Sequence, residues 1–231
     1  ETGDSLITGQ VLTGVLPTAE VIRSLAEHPV AADQPTEMMA LPGGAGRTAD
    51  VADVQRGTGF AISMKNLCFS EGFDDSAEAA CRLEGDIAYV KSACAEVGQG
   101  FVTLAQQIAR EILTVETVVL EAADTQIGSA GSTSASRQTW MSGGAVLKAC
   151  ESVKAQVLAR VAGDHGLAPE QLELRDGEVV SLDGMTRVAL TDVAEQGGFA
   201  DTVIHRHAPT VPLDENGQGD AHVSFAIAGH R

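Results

Sequence analysis

Two segments of this chain carry residue types and spacing that could do chemistry. They are Glu96-Val-Gly98-Gln99-Gly100 and, further on, Ser132-Thr-Ser134-Ala135-Ser136-Arg137-Gln138-Thr139. Each sets small or hydroxyl-bearing residues where a helix would begin. Helix N-termini leave backbone N–H groups unpaired and carry partial positive charge, so they suit a phosphate or another polar anion. Gln99 lies between two glycines with an amide that can both donate and accept, although alone it would also serve as a neutral filler in a helix cap. Ser134 and Ala135 are small enough for a ligand to lie on the backbone, and Ser136 and Thr139 can donate hydrogen bonds. A flexible linker capped by Ser136 or Thr139 is the plain alternative. Two such segments suggest a polyanionic cofactor gripped from two sides.

The bulk composition limits how such a ligand could be held. The 231 residues carry a formal net charge of −17, with 44% hydrophobic and 3% aromatic side chains. That charge argues against nucleic acid and anionic membranes, which attract basic patches. A phosphate would have to rest on N–H groups and hydroxyls, with few cations to help. A chain of this length buries roughly 70% of its unfolded surface, and the core must rest on Ala, Val, Leu and Ile. Cys68, Cys81, Cys94 and Cys150 form no Cys-x-x-Cys, and no His stands at finger-like spacing. They read as buried thiols in a reducing cytosol. No secretory leader or membrane-spanning run is visible.

The elements that must position the two segments follow from periodicity. Pro17-Thr18-Ala19-Glu20 opens a short helix through Glu27, and the Pro-, Ala- and Gly-rich stretch 29–56 reads as an extended surface connection. Its Gly43–Gly46 cluster could cradle an anion or simply turn. Gly57–Met64 reads as a strand and Asn66–Ser76 as a polar loop. Strands Glu78–Glu84 and Ile87–Ala95 are joined by Gly85-Asp86, a hairpin turn in which Gly supplies positive φ. A helix starts at Gly100, its buried face marked by Leu104, Ile108 and Ile112. Strand Thr117–Ala122 follows. A longer helix starts near Ser136 or Thr139, with Val146, Cys150, Val153, Val157 and Val161 in period, and ends at Gly163 or Gly166. Asp176-Gly177 signals a second hairpin between Gln171–Arg175 and Glu178–Leu182. A short helix at 190–195 and strands near 201–208 and 221–227 complete an α+β fold with mixed sheets, hairpins and two cofactor-facing helices.

Other constellations are weaker. Strand 87–95, Gly98-x-Gly100, a helix, and a strand ending at Asp124 imitate a dinucleotide fingerprint. Thr103 stands where the third glycine belongs, and the strand forms a hairpin with its predecessor where a dinucleotide fold needs a buried parallel strand. His205 and His207 would share a strand face and could bind metal, but no third ligand is evident. Gly143-Gly144 inside the long helix costs roughly 1 kcal/mol per glycine relative to alanine, which hints at close contact with another element or a cofactor. Glu96 reads as a residue that fixes its turn. No Gly-x-Ser-x-Gly is present to support nucleophilic hydrolysis.

Taken together, Glu96-Val-Gly-Gln-Gly100-Phe-Val-Thr103, Asp124-Thr125, Gly131-Ser-Thr-Ser-Ala-Ser-Arg-Gln-Thr139 and Ser142-Gly-Gly-Ala-Val146 resemble the molybdenum-binding subunit of xanthine dehydrogenases and related molybdenum hydroxylases. Four elements in matching order are far more specific than any one. The resemblance extends from about Gly57 to the end and includes Asp214-Glu-Asn-Gly-Gln-Gly-Asp220; the first fifty residues fit more loosely.

The resemblance implies a molybdopterin cofactor, in its plain or cytosine dinucleotide form, with no protein side chain on the metal. Gln99 would hydrogen-bond near the molybdenum oxo group, and Gly98 and Gly100 would let the backbone approach. Ser136, Arg137, Gln138 and Thr139 would line the pterin and its phosphate. Ser134 and Ala135 would lie near the substrate, with loop Asn66–Asp75 along its wall. The implied reaction is oxidative hydroxylation of a carbon in an N-heterocycle such as xanthine or hypoxanthine, or in an aldehyde. Electrons would leave through 2Fe-2S clusters to FAD on partner domains or subunits.

The family's general-base glutamate, its upstream glycine-rich cofactor loop and its substrate-binding arginine and glutamate have no counterpart in these residues. The expectation is an internal piece of a cytoplasmic, multi-subunit enzyme. Residues 1–56 would be an extended N-terminal segment and 57–231 part of a molybdopterin-binding domain. A non-catalytic cofactor-binding or assembly module is the alternative.

Overall fold

Alternating burial builds the sheet that carries both segments. In the computed structural model, which describes residues 3–14, 16–28 and 59–231, Ala77, Ala79, Cys81 and Leu83 of one strand point inward while the residues between them face outward. This strand, β2 (Ser76–Glu84), turns at Gly85 (φ 58°) into β3 (Ile87–Ser92), pairing antiparallel with Cys81 opposite Val90. From β3 the chain crosses over through helix α2 (Phe101–Leu113) to β4 (Thr117–Glu121), which lies parallel to β3 with Tyr89 opposite Val119. Strand β8 (Phe199–Arg206) closes the other side, antiparallel to β2, so the sheet order is β4-β3-β2-β8. The fold is α+β. One parallel βαβ step is present, but it sits in a mixed sheet whose remaining pairs are antiparallel, unlike a dinucleotide fold.

Helix α3 (Ser142–His165) covers the inner face, burying Val146, Cys150, Val153, Val157 and Val161 as the heptad-like spacing predicts. Gly166, with φ 67°, ends it by returning its N–H to Ala162 O. Two expectations need correction. Helix α3 begins at Ser142, because residues 136–141 form turns: Met141 N–H donates to Arg137 O (2.7 Å) and Gly143 N–H to Gln138 O (2.9 Å). The deepest residues of α2 are Phe101, Ala105, Ala109 and Leu113, with Leu104, Ile108 and Ile112 only partly buried. Between Phe101 and Leu113 it is the small Ala105 and Ala109 that face the interior, because low side-chain volume lets the helix sit close to its neighbours.

Gly143 and Gly144 are explained by protein contacts. A Cβ on Gly143 would lie 3.1 Å from Leu104 Cδ2, and one on Gly144 2.7 Å from the ring of His205 on β8. The helix thus fits between α2 and β8. Beyond it, a 3-10 turn at Pro169–Gln171 leads into β5 (Leu172–Arg175), β6 (Glu178–Ser181) and β7 (Arg187–Ala189), an antiparallel three-stranded sheet. Its first hairpin turns through Asp176 (φ 52°) and Gly177 (φ 74°), and α4 (Leu190–Ala194) follows β7.

The chain divides into two compact units: residues 8–10 with 66–224, and residues 1–7, 11–65 and 225–231. In the latter, α1 (Thr18–Glu27) lies against β9 (Ser224–His230), where Gly229 leaves no room for a Cβ beside Leu25 and Val21. Strand β9 pairs with β1 (Ala61–Leu67), a few residues later than the expected Gly57–Met64. The stretch 29–56, with Gly43–Gly46, lies outside the described residues. Among the described residues no helix is long and apolar enough to cross a membrane.

Candidate functional site

Gln99 stands at the foot of α2 in a turn that the chain closes on itself. Gly98 (φ 94°) and Gly100 (φ 88°) are left-handed, a conformation open to glycine and disfavoured for other residues. A Cβ on either would meet no protein atom within 4 Å, so the backbone is open to an approaching group. The donors of this turn are not vacant, however. Glu96 accepts from Val102 N–H (2.9 Å), Gly98 N–H (2.8 Å) and Gly100 N–H (3.2 Å). The bonds from Val102, then Gly100 and Gly98, hold its carboxyl below the usual carboxylate range. The anion at this helix N-terminus is the protein's own side chain.

The amide of Gln99 is also engaged. Its Oε1 accepts from Val97 N–H (2.7 Å), and its Nε2 donates to Ala95 O (2.8 Å) and to Gln138 Oε1 (2.5 Å). Gln138 in turn donates to Thr133 Oγ1 (2.5 Å). The structure thus joins the two segments directly, through a relay of neutral amides and a hydroxyl.

The second segment is a shaped loop ahead of α3. Ala135 (φ 52°) and Ser136 (φ 51°) are consecutive left-handed residues. Arg137 N–H donates to Ser134 O (3.2 Å), Cys68 N–H to Ala135 O (2.9 Å), and the hydroxyls of Ser132 and Ser134 share a bond of 2.8 Å. Ser134, Ser136 and Thr139 are exposed and Gln138 half-buried. The N–H groups of Ser136, Gln138 and Thr139, and the hydroxyls of Ser136 and Thr139, have no protein partner among the described residues.

The side chain of Arg137 takes a different course from its neighbours. It is fully buried and points away from this exposed face, onto Asp75, where its Nε and Nη2 make bonds of 2.6 and 2.8 Å. Its guanidinium N–H groups are spent on protein partners. Asp75 itself escapes sequence reasoning, because no spacing rule ties it to an arginine 62 positions away. The only available signal is physical: a buried Arg demands a carboxylate. Glu78 is a further unforeseen support, accepting from Gly128 N–H at 2.6 Å.

The remaining sequence candidates do not converge here. His205 and His207 face the same side, and burial, followed by the charge of Lys148 and the neighbouring His207, pushes His205 below its usual value. Asp124 binds Lys91 at 2.8 Å, tying β3 to the end of β4. Cys68, Cys81 and Cys150 are buried thiols; Cys94 is partly exposed, and Cys81 and Cys150 lie 3.6 Å apart as a thiol pair.

What the site offers is a set of neutral donors without protein partners among the described residues, on a hydrogen-bonded loop beside two glycines with open backbone. The donor set fits a phosphate-bearing cofactor held without cations, which suits a chain of net charge −17. Residues 38–230 match the family of the molybdopterin cofactor-binding domain, and the chain belongs to that family. No curated protein matches it.

Among solved structures the fold is similar to quinoline 2-oxidoreductase from Pseudomonas putida 86, with TM-score 0.56 and 19% identity over 74% of this chain and 24% of that one. It is also similar to a reconstituted CO dehydrogenase from Oligotropha carboxidovorans (TM-score 0.52, 16% identity, 74% of this chain and 23% of that one). A third is the aldehyde oxidoreductase from Desulfovibrio desulfuricans (TM-score 0.51, 21% identity, 74% and 17%). The chain spans about a quarter or less of the length of these proteins. At such identities the likeness is one of fold.

Proposed function

We propose that this chain forms one wall of the cofactor site in a molybdenum hydroxylase, an oxidoreductase resembling xanthine dehydrogenase. The observation that carries this reading is the Gln99–Gln138 bond, which brings the two segments to one place beside the unpaired donors of Ser136, Gln138 and Thr139. Family membership supports molybdopterin as the group held. When bound, that cofactor supplies the oxidative hydroxylation and receives the electron pair.

The protein's own part is positional. Ser136, Gln138 and Thr139 donate to the anionic and pterin groups through N–H and hydroxyl, Gly98 and Gly100 give backbone access, and Gln99 places an amide beside the reacting centre. Reaching a ligand with an N–H requires Gln99 to release Ala95 or Gln138, since both of its donors are engaged. Ser134 and Ala135 face the substrate in this reading, within a binding domain spanning 57–231.

The substrate class we favour is a purine such as xanthine or hypoxanthine, or a related N-heterocycle. A structural neighbour named for quinoline oxidation favours a heterocycle, and one named for aldehydes keeps that substrate as the second reading. The reading places 2Fe-2S and FAD centres on partner domains or subunits, in the cytoplasm. The test is molybdenum and released pterin per polypeptide in the complete enzyme purified from its native host. Near-stoichiometric values, falling together in Ser136→Ala/Thr139→Ala, are expected. Full occupancy in that variant would remove these donors from the site. A complete enzyme that binds the cofactor without turnover on purines or aldehydes would favour the assembly-module reading.

A further inference from the structure

The guanidinium of Arg137 uses all five of its N–H groups. Nε and Nη2 meet the two oxygens of Asp75 at 2.6 and 2.8 Å. Nη2 also donates to Ser76 O (2.9 Å), and Nη1 to Ala130 O (2.7 Å) and Ser132 O (3.0 Å). Arg137 is fully buried and Asp75 is 5% exposed. The pair therefore ties the first residue of β2 to two carbonyls of the loop that precedes the exposed donors. Contact with the loop backbone is close, because a Cβ on Gly131 (φ 73°) would fall 2.5 Å from the guanidinium.

We propose that Asp75 and Arg137 are positioning residues for cofactor binding, holding segment 130–139 in its binding shape before any ligand arrives. This rests on the reading that segment 136–139 grips the cofactor. Ala135 and Ser136 occupy left-handed backbone that non-glycine residues rarely adopt. Such conformations persist where surrounding structure imposes them. Here the imposition comes from behind: the carbonyls of Ala130 and Ser132 are held by Arg137, while its own N–H holds Ser134 O. The carbonyls of Ala130 and Ser132 are turned to the buried guanidinium, on a loop whose Ser136 and Thr139 are exposed and Gln138 half-buried. Preorganisation of this kind lowers the conformational cost of binding. Because Asp75 neutralises Arg137, the pair acts through shape and adds no net charge to the site.

The test compares wild-type complete enzyme with Arg137→Lys and Asp75→Glu, each of which keeps the charges and loses the paired geometry. Three quantities are read: hydrogen exchange of peptides covering 130–139 and 149–161, molybdenum and pterin per polypeptide after extended dialysis, and turnover per bound molybdenum. Exchange in 130–139 is expected to rise at least tenfold while 149–161 keeps its protection. Cofactor retention should fall at least fivefold, with turnover per molybdenum within twofold of wild type. Should Arg137→Lys fail to accumulate, the milder Asp75→Glu carries the same expectations. Unchanged exchange in 130–139, or equal loss of protection in 149–161, would overturn the positioning role. Loosened loop amides with undiminished cofactor would leave the pair as a loop anchor and sink the reading that this segment grips the cofactor.

Discussion

Gln99 Nε2 and Gln138 Oε1 lie 2.5 Å apart across 39 residues of sequence, and this bond defines where the two polar segments meet. Neither glutamine carries charge, so the contact fixes geometry and adds no net charge to the site. Both donors of Gln99 are spent within the protein, which makes exchange of partners the first requirement for any contact with a ligand.

Gln99→Ala in the complete enzyme should lower kcat roughly tenfold or more, the equivalent of about 1.4 kcal/mol of transition-state stabilisation. Soluble yield and cofactor content should change little, because α2 retains its Glu96 cap. Steady-state kinetics normalised to molybdenum decide the matter, and an unchanged kcat would withdraw the role assigned to Gln99.

Glu96 links the start of α2 to pH. Its folded-state pKa is depressed by the Val102, Gly100 and Gly98 N–H groups. It therefore contributes stability that is complete above its unfolded value of about 4.3 and lost as pH falls through the lower folded value. Wild type should melt above Glu96→Gln at pH 7, and the gap should close in acid. A gap that stays constant down to acid pH would show that the carboxylate does not cap the helix.

The glycines of α3 should respond in opposite directions. Gly144→Ala drives a methyl to 2.7 Å from the His205 ring and should cost about 1–3 kcal/mol. Gly163→Ala enters open space in the same helix and should stabilise by about 0.5–1 kcal/mol. Thermal unfolding of the two variants should shift Tm in opposite directions; a shared sign would contradict the packing described between α3 and β8.

Much of the scaffold is legible because local rules set it. Gly85 and Asp176-Gly177 mark their hairpins through positive φ, and the valine spacing of α3 places its inner face. The start of α3 is not legible, because the turns at 136–141 are stabilised by loop bonds that no periodicity encodes. The inner face of α2 is misread for a related reason: alanine scores weakly as hydrophobic yet packs deepest where elements crowd. At the site, the small and hydroxyl residues announce a donor surface, but the direction of Arg137 depends on Asp75, a partner fixed only by tertiary structure. Glu96 looks like a turn residue from its place, whereas its occupation of the helix N–H groups required coordinates.

Strand β8 gives the sheet a late clasp. Its last residue, Arg206, bonds to Asp74 just ahead of β2 across 132 positions of sequence, so the outer edge of β2 finds its partner only after β3, α2, β4 and α3 have been made. Until then β2 presents an unpaired edge beside an alanine-rich face, the kind of surface that invites mispairing. The loop at 130–139 leans, through Arg137, on Ser76 at the head of that same strand.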